Sequence, residues 1–136
     1  VTATFSDALK KLLDSPVVVT VATLQPDGSP QLSPVWVQRD GEELLISTTR
    51  GRRKARNLRR DPRVGVLVQP ADAPESYAEI RGTVTFTTDE GRRMLDAVSR
   101  KYTGKDFAEY APESAAEGPE ERVIIRITPH KVIERL

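Results

Sequence analysis

The chain has no cysteine and a single histidine, His130, among its 136 residues. Lack of cysteine excludes disulfides, thiolate metal centres, iron–sulfur clusters and cysteine nucleophiles. A histidine-based triad or a multi-histidine metal site would need residues the chain does not have. No metal is therefore expected, and any reactive chemistry is expected to reside in a bound cofactor. Aromatic residues make up only 5% of the chain, too few for an obvious base-stacking surface. No apolar run approaches the roughly 20 residues that span a bilayer. The opening VTATFSDALKKLLD also lacks the apolar stretch of a signal peptide, so a cytoplasmic location away from any membrane is expected.

What remains is an ordinary globular composition, 38% apolar and 30% charged, in a length that suits one domain over 1–136. The charge is unevenly spread. The net value is +1, yet Arg50 to Arg63 holds eight cations against one acid, Asp61. This stretch reads RGRRKARNLRRDPR and needs an explanation.

Around it, the pattern is of short strands joined by turns. Ser6 can cap a helix from Asp7 to about Leu13, which Pro16 ends. Val17–Leu24 is β-branched almost throughout and reads as a strand buried on both faces. QPDGSP is a turn, a strand over Gln31–Arg39 follows, and Asp40-Gly41 signals a hairpin into Glu43–Thr49. The basic stretch then predicts a short helix, Arg52 to Arg60, stopped before Pro62. Strands are expected at Val64–Gln69 and Tyr77–Thr87. Thr87-Thr88-Asp89-Glu90 offers a capping box for a helix running to Tyr102, with Met94, Leu95 and Val98 on its packing face. An acidic segment over 103–121 includes a helical turn at Asp106–Tyr110 and a solvated connection around Glu113–Glu121 that could close over a barrel mouth. Two strand-like runs, VIIRIT and KVIERL, end the chain, with His130 in the turn between them. The expected class is mainly β (α+β), with six to seven antiparallel strands in a small barrel and two or three short helices.

The basic stretch has several readings. A charge run can simply be a solvated face. Nucleic acid is disfavoured, because no aromatic lies in the stretch and the rest of the chain is acidic. A membrane surface is weaker still, for want of a bulky apolar anchor. A small phosphorylated ligand suits the chemistry as well as the solvated face does. Ser47, Thr48 and Thr49 end a strand, Gly51 follows, and Arg52, Arg53 and Lys54 open a helix. Hydroxyls, free backbone N–H groups, the helix dipole and guanidinium forks all favour a phosphate there.

The motifs TLxxDGxPxxSPV, KARNLRRDPRV and SYAEIRGT, taken in order over nearly the whole chain, resemble the flavin/deazaflavin oxidoreductases of the pyridoxamine 5′-phosphate oxidase-like superfamily. The similarity is greatest to the F420-dependent branch. The resemblance implies an FMN-binding split β-barrel, assembled as a homodimer with the cofactor at the subunit interface. It implies that Ser47, Thr48, Thr49, Arg52, Arg53 and Lys54 hold the cofactor phosphate, Lys54 foremost, with Arg56 and Asn57 as second choices. Pro34, Val35 and Trp36 would lie beside the tricyclic ring, and Trp36 would shape the substrate pocket or pack at the dimer interface. Tyr77 would stand near the cofactor or substrate, supplied by the partner subunit, and is a candidate proton donor with solvent as the alternative. Arg56, Arg59 and Arg60 could face a polyglutamate tail. The implied activity is an F420H2-dependent reduction, with hydride passing from the reduced deazaflavin to a small electron-poor organic substrate. An FMN-dependent oxidase or reductase of the same fold, or a non-catalytic cofactor-binding protein, are the alternatives.

Overall fold

The computed structural model describes residues 2–116 and 122–136. Seven strands form one antiparallel sheet: β1 (Val19–Leu24), β2 (Pro30–Val35), β3 (Gln38–Asp40), β4 (Glu43–Thr49), β5 (Arg63–Val68), β6 (Tyr77–Thr88) and β7 (Arg122–Arg135). Their order is β2-β1-β5-β6-β7-β4-β3, and the sheet curls into a split barrel. Hairpin neighbours β1–β2 and β3–β4 need only short turns, as antiparallel pairing allows.

Strict alternation along the strands sorts side chains to two faces. Val19, Val21, Leu44, Ile46, Ile80 and Ile125 point into the curl and form the main core. Helix α1 (Asp7–Asp14) closes one side of that core with Leu9 and Leu13, and the Ser6 hydroxyl caps it by accepting from the Leu9 N–H at 3.1 Å. Leu58 of helix α2 (Arg53–Arg60) enters the same core. Helix α3 (Arg93–Thr103) packs Met94, Leu95 and Val98 on the other side of β4 and β7, against Leu45 and Ile124. Two short helices, α4 (Phe107–Tyr110) and α5 (Pro112–Ala116), follow, and a 3-10 turn at Glu90–Arg92 precedes α3. No described helix is long and apolar enough to cross a membrane.

The expected split barrel is present, and several details differ. The first strand alternates buried and half-buried residues instead of burying both faces, so Thr20, Ala22 and Leu24 face outward. With Leu32, which is 63% exposed, they leave an uncovered apolar strip on the outside of β1 and β2. The single strand expected over Gln31–Arg39 is two, broken at Trp36 and Val37. There the Val37 N–H donates to the Tyr102 hydroxyl at 3.1 Å and its carbonyl accepts from the Lys101 ammonium at 2.7 Å. Side chains of α3 thus replace a strand neighbour for that peptide unit.

The last two expected strands are one. Its register with β6 shifts opposite Arg81 and Gly82, leaving His130 as the extra residue of a bulge, with its Nε2 2.9 Å from the Thr83 hydroxyl. Gly82 permits this close approach, since a Cβ there would stand 2.3 Å from the Thr128 carbonyl oxygen. The start of α3 is held by Asp89 rather than by a threonine: its two carboxylate oxygens accept from the Met94 and Leu95 N–H groups, each at 3.0 Å. Among the described residues there are five α-helices instead of two or three: α4 falls on the helical turn expected at Asp106–Tyr110, and α5 is additional. The end of the Glu113–Glu121 connection lies outside the described residues.

Candidate functional site

Strand β4 carries its small hydroxyl residues to the point where the chain turns into α2. Ser47, Thr48 and Thr49 lie on the strand's last turn-ward residues, and the Arg52 N–H donates to the Thr49 carbonyl at 3.2 Å. Arg52 is the N-cap of α2, no side chain caps the helix, and no acid lies in its first turn. Cations at the positive end of a helix dipole are unfavourable there unless an anion accompanies them. Burial, and then the charge of Arg52, pull the Lys54 ammonium below the usual lysine range. No carboxylate pairs with Arg52 or Lys54 among the described residues.

These groups line one side of a cavity of about 490 Å³, together with Ser47, Thr48 and Arg122. The rest of the lining is Val18, Pro34, Val35 and Trp36 from the β1–β2 side, and Leu95, Val98 and Phe107 from α3 and α4, which pack on β4 and β7. The lining thus has a cationic and hydroxylic wall carried by the end of β4, the start of α2 and Arg122, and an apolar wall carried by β2, with α3 and α4 adding apolar surface beside Arg122. The Ser47 hydroxyl oxygen is buried with no hydrogen-bond partner, a cost that a bound acceptor or donor would remove. Phe107 is itself held beneath the Arg122 guanidinium, 5.1 Å from the ring centre.

Trp36 closes the apolar end. Its indole stacks on Tyr102 and meets Tyr110 at a tilt, with ring centroids 5.3 and 5.4 Å apart. Beyond it lies a second cavity of about 510 Å³ that shares Val18 and Trp36 with the first and is otherwise lined by Tyr102, Thr103, Lys105, Tyr110 and Pro16. The Tyr102 hydroxyl donates to the Val17 carbonyl, and Lys101 donates to the Leu13 carbonyl at 2.5 Å as well as to Val37. Burial lowers Lys101 to about 8, against the pull of Asp14, which favours its charged form.

Of the residues singled out in the sequence, Ser47, Thr48, Arg52, Lys54, Pro34, Val35 and Trp36 meet in the first cavity. Thr49 ends β4 opposite Arg122. Arg53 turns instead to a shallow cleft with Gln25, Pro26 and Asp27, and Arg56 is exposed on α2. Asn57 is fully buried and donates to the Thr23 hydroxyl and the Gln25 side-chain oxygen, each at 3.0 Å. Tyr77 does not line the cavity of its own chain; it lies on the outward face of β6, opposite Arg135. Sequence reasoning missed Val18, Phe107 and Arg122 as cavity residues and treated Leu95 and Val98 as packing alone. The apolar spacing of α3 was readable, but nothing local in the sequence says that part of its face borders a cavity.

An anionic group with an attached flat ring fits these two walls: cations and hydroxyls at one, prolyl, valyl and indole surface at the other. The sequence profile described as pyridoxamine 5′-phosphate oxidase matches residues 5–135. The chain belongs to that family. Its members are generally oxidoreductases, and the split barrel described above is their fold. Among solved structures, one named F420 reductase is 30% identical, superposes with a TM-score of 0.81, and is covered over 98% of its length by 95% of this chain. A conserved hypothetical protein from Mycobacterium tuberculosis is 26% identical with a TM-score of 0.75, over 96% of this chain and 84% of that one. A pyridoxamine 5′-phosphate oxidase-related, FMN-binding protein from Nostoc punctiforme shares the fold, at 16% identity and a TM-score of 0.66 over 96% and 82% of the two chains.

Proposed function

We propose that this member of the pyridoxamine 5′-phosphate oxidase family is an F420H2-dependent reductase. The observation that carries the reading is the two-walled cavity, with the uncapped, carboxylate-free cations Arg52 and Lys54 facing Pro34, Val35 and Trp36. The 30% identity to a protein named F420 reductase, over nearly the full length of both chains, supports the choice of deazaflavin over flavin. In this reading Lys54, Arg52, Ser47 and Thr48 hold the cofactor phosphate, with Thr49 beside them. Of Arg56, Arg59 and Arg60, exposed Arg56 would face the polyglutamate tail, while Arg59 stands over the Phe86 ring and Arg60 donates to the Leu24 carbonyl.

When bound, the deazaflavin supplies a hydride from its ring carbon C5. The chain's own part is to bind and orient. Charge-assisted hydrogen bonds from Lys54 and Arg52 fix the anionic end. Pro34, Val35 and Trp36 support the ring and, with Phe107, keep water from its edge. Face-to-face holding of ring and substrate contributes chiefly through orientation. No step needs a protein nucleophile, which accords with a chain that has no cysteine. The substrate is a small, electron-poor organic molecule.

The active form in this reading is a homodimer located in the cytoplasm. The uncovered strip of Leu32, Ala22 and Leu24 would be buried between subunits, and Tyr77, on the same outward side of the sheet, would reach the partner's cavity. There it is the candidate proton donor, with solvent as the alternative.

Parallel titration of the purified protein with F420 and with FMN, followed by ligand fluorescence, tests the assignment. Tight binding of F420 with weak binding of FMN is expected. Clear preference for FMN would move the protein to a flavin-dependent oxidase or reductase of the same fold, and binding of neither would sink both.

A further inference from the structure

A chain of hydrogen bonds ties helix α2, which carries Lys54, to the β1–β2 hairpin, which carries Pro34 and Val35. The Thr23 hydroxyl on β1 donates to the Gln31 side-chain oxygen on β2 at 2.9 Å and accepts from the Asn57 amide of α2 at 3.0 Å. The same Asn57 nitrogen donates to Gln25 at 3.0 Å. Arg60, one turn on, donates to the Asn57 side-chain oxygen at 3.5 Å and to the Leu24 carbonyl. Thr23 and Asn57 are both buried, so each of these polar groups would be costly to leave unpaired.

The position of this chain is what matters. Gln31 stands three residues before Pro34 on the strand that forms the apolar wall. Asn57 stands three residues after Lys54 on the helix that forms the cationic wall. Helix α2 is poorly suited to hold its own place. It has eight residues, no side-chain cap, five cations and no acid, so repulsion among the cations opposes it, and the dipole opposes Arg53 and Lys54 in its first turn while favouring Arg59 and Arg60 in its last. Leu58 and Ala55 bury its inner face, but apolar contacts are non-directional and allow sliding. Directional bonds from Asn57 to the β1–β2 hairpin remove that freedom.

We infer that Asn57 is a positioning residue: acting through Thr23 and Gln31, it sets the distance between the cationic and apolar walls, and so the fit of a ligand that must touch both. This rests on the reading of the cavity as a site for an anion with an attached ring. It assigns Asn57 a role without contact to the ligand.

The test compares two probes on four proteins: the wild type, Asn57→Ala, Thr23→Val and the conservative Thr23→Ser. One probe is inorganic phosphate, which needs only the cationic wall, followed by phosphorus NMR line width. The other is whichever of F420 or FMN the wild type binds, which needs both walls. Asn57→Ala and Thr23→Val each break the link between α2 and the β1–β2 hairpin and are expected to lose about 10-fold or more in affinity for the cofactor, and less than about 3-fold for phosphate. Thr23→Ser, which keeps the hydroxyl, is expected to restore cofactor affinity. Simple destabilisation would lower both affinities together, by the folded fraction, and that result overturns the inference, as does unchanged cofactor binding in both variants. If the wild type binds neither phosphate nor a cofactor, the reading of the cavity itself falls and this inference with it.

Discussion

The indole of Trp36 lies nearly parallel to the ring of Tyr102, with 5.3 Å between centroids and 14° between planes, and the same side chain also lines the proposed ring site. It is also the only tryptophan in the chain. Its emission therefore reports on that one place. Cofactor binding should quench Trp36 fluorescence in step with occupancy, and Trp36→Phe should abolish the signal while preserving most of the binding. Trp36→Ala should cost about 2 kcal/mol of stability, since the residue is half-buried and loses two aromatic partners. Quenching that is absent at saturating cofactor would place the ring elsewhere.

Lys54 should be the most sensitive of the cationic residues. Lys54→Ala is expected to weaken cofactor binding by about 10- to 100-fold, the value of a charge-assisted hydrogen bond. Its ammonium is already below the usual range in the free protein, and a bound phosphate would raise it again. Protonated lysine is the binding form, so affinity should fall as pH rises through the lowered value, with proton uptake on binding in that window. Calorimetry in two buffers of different ionisation enthalpy measures that uptake; Lys54→Met should show none.

Lys101 provides a separate pH effect on stability. Its folded value of about 8 lies below the ordinary 10.5, so the unfolded chain holds the proton more tightly. The charge penalty is present in full below about pH 8 and is relieved as pH rises towards 10.5. Relative to Lys101→Met, the wild type should therefore gain stability across that interval. Urea unfolding at several pH values, read as the difference between the two proteins, gives the sign directly.

Gly82 should tolerate no side chain. Gly82→Ala brings a methyl group within 2.3 Å of the Thr128 carbonyl oxygen, and backbone on both sides must shift. A loss of about 2–3 kcal/mol is expected in the urea midpoint, with little change in slope.

Asp89 holds the start of α3 by two backbone hydrogen bonds of 3.0 Å. Asp89→Ala should cost about 1–2 kcal/mol, in the range of helix caps. Because Leu95 and Val98 on the same helix border the cavity, cofactor affinity should fall as well. Hydrogen exchange at the Met94 and Leu95 amides would locate the loosening.

Much of this fold was legible because its signals are local. Asp40-Gly41 marks a hairpin, β4 spans the expected Glu43–Thr49, and the basic helix stops before Pro62. What escaped was decided by contacts between distant residues. Only the packing of α3 across β4 and β7 brings Lys101 and Tyr102 to Val37 and breaks the second strand there. The bulge at His130 depends on a glycine 48 positions earlier, Gly82, so Pro129 could be read as a turn although the strand continues through it.

The site divides in the same way. By itself the sequence determined which groups are available: hydroxyls, a glycine and clustered cations in one stretch, and no thiol or paired histidines for covalent or metal chemistry. Tertiary structure alone decided which cations face the cavity. Arg52 and Lys54 do, while Arg53 turns to the hairpin cleft and Arg56 to solvent, because the rotation of α2 is set by Leu58 in the core and Asn57 on Thr23. A run of like charges carries no period that would tell one from another. The buried contacts that orient the helix come from β1, some thirty residues away, and no local pattern can report them.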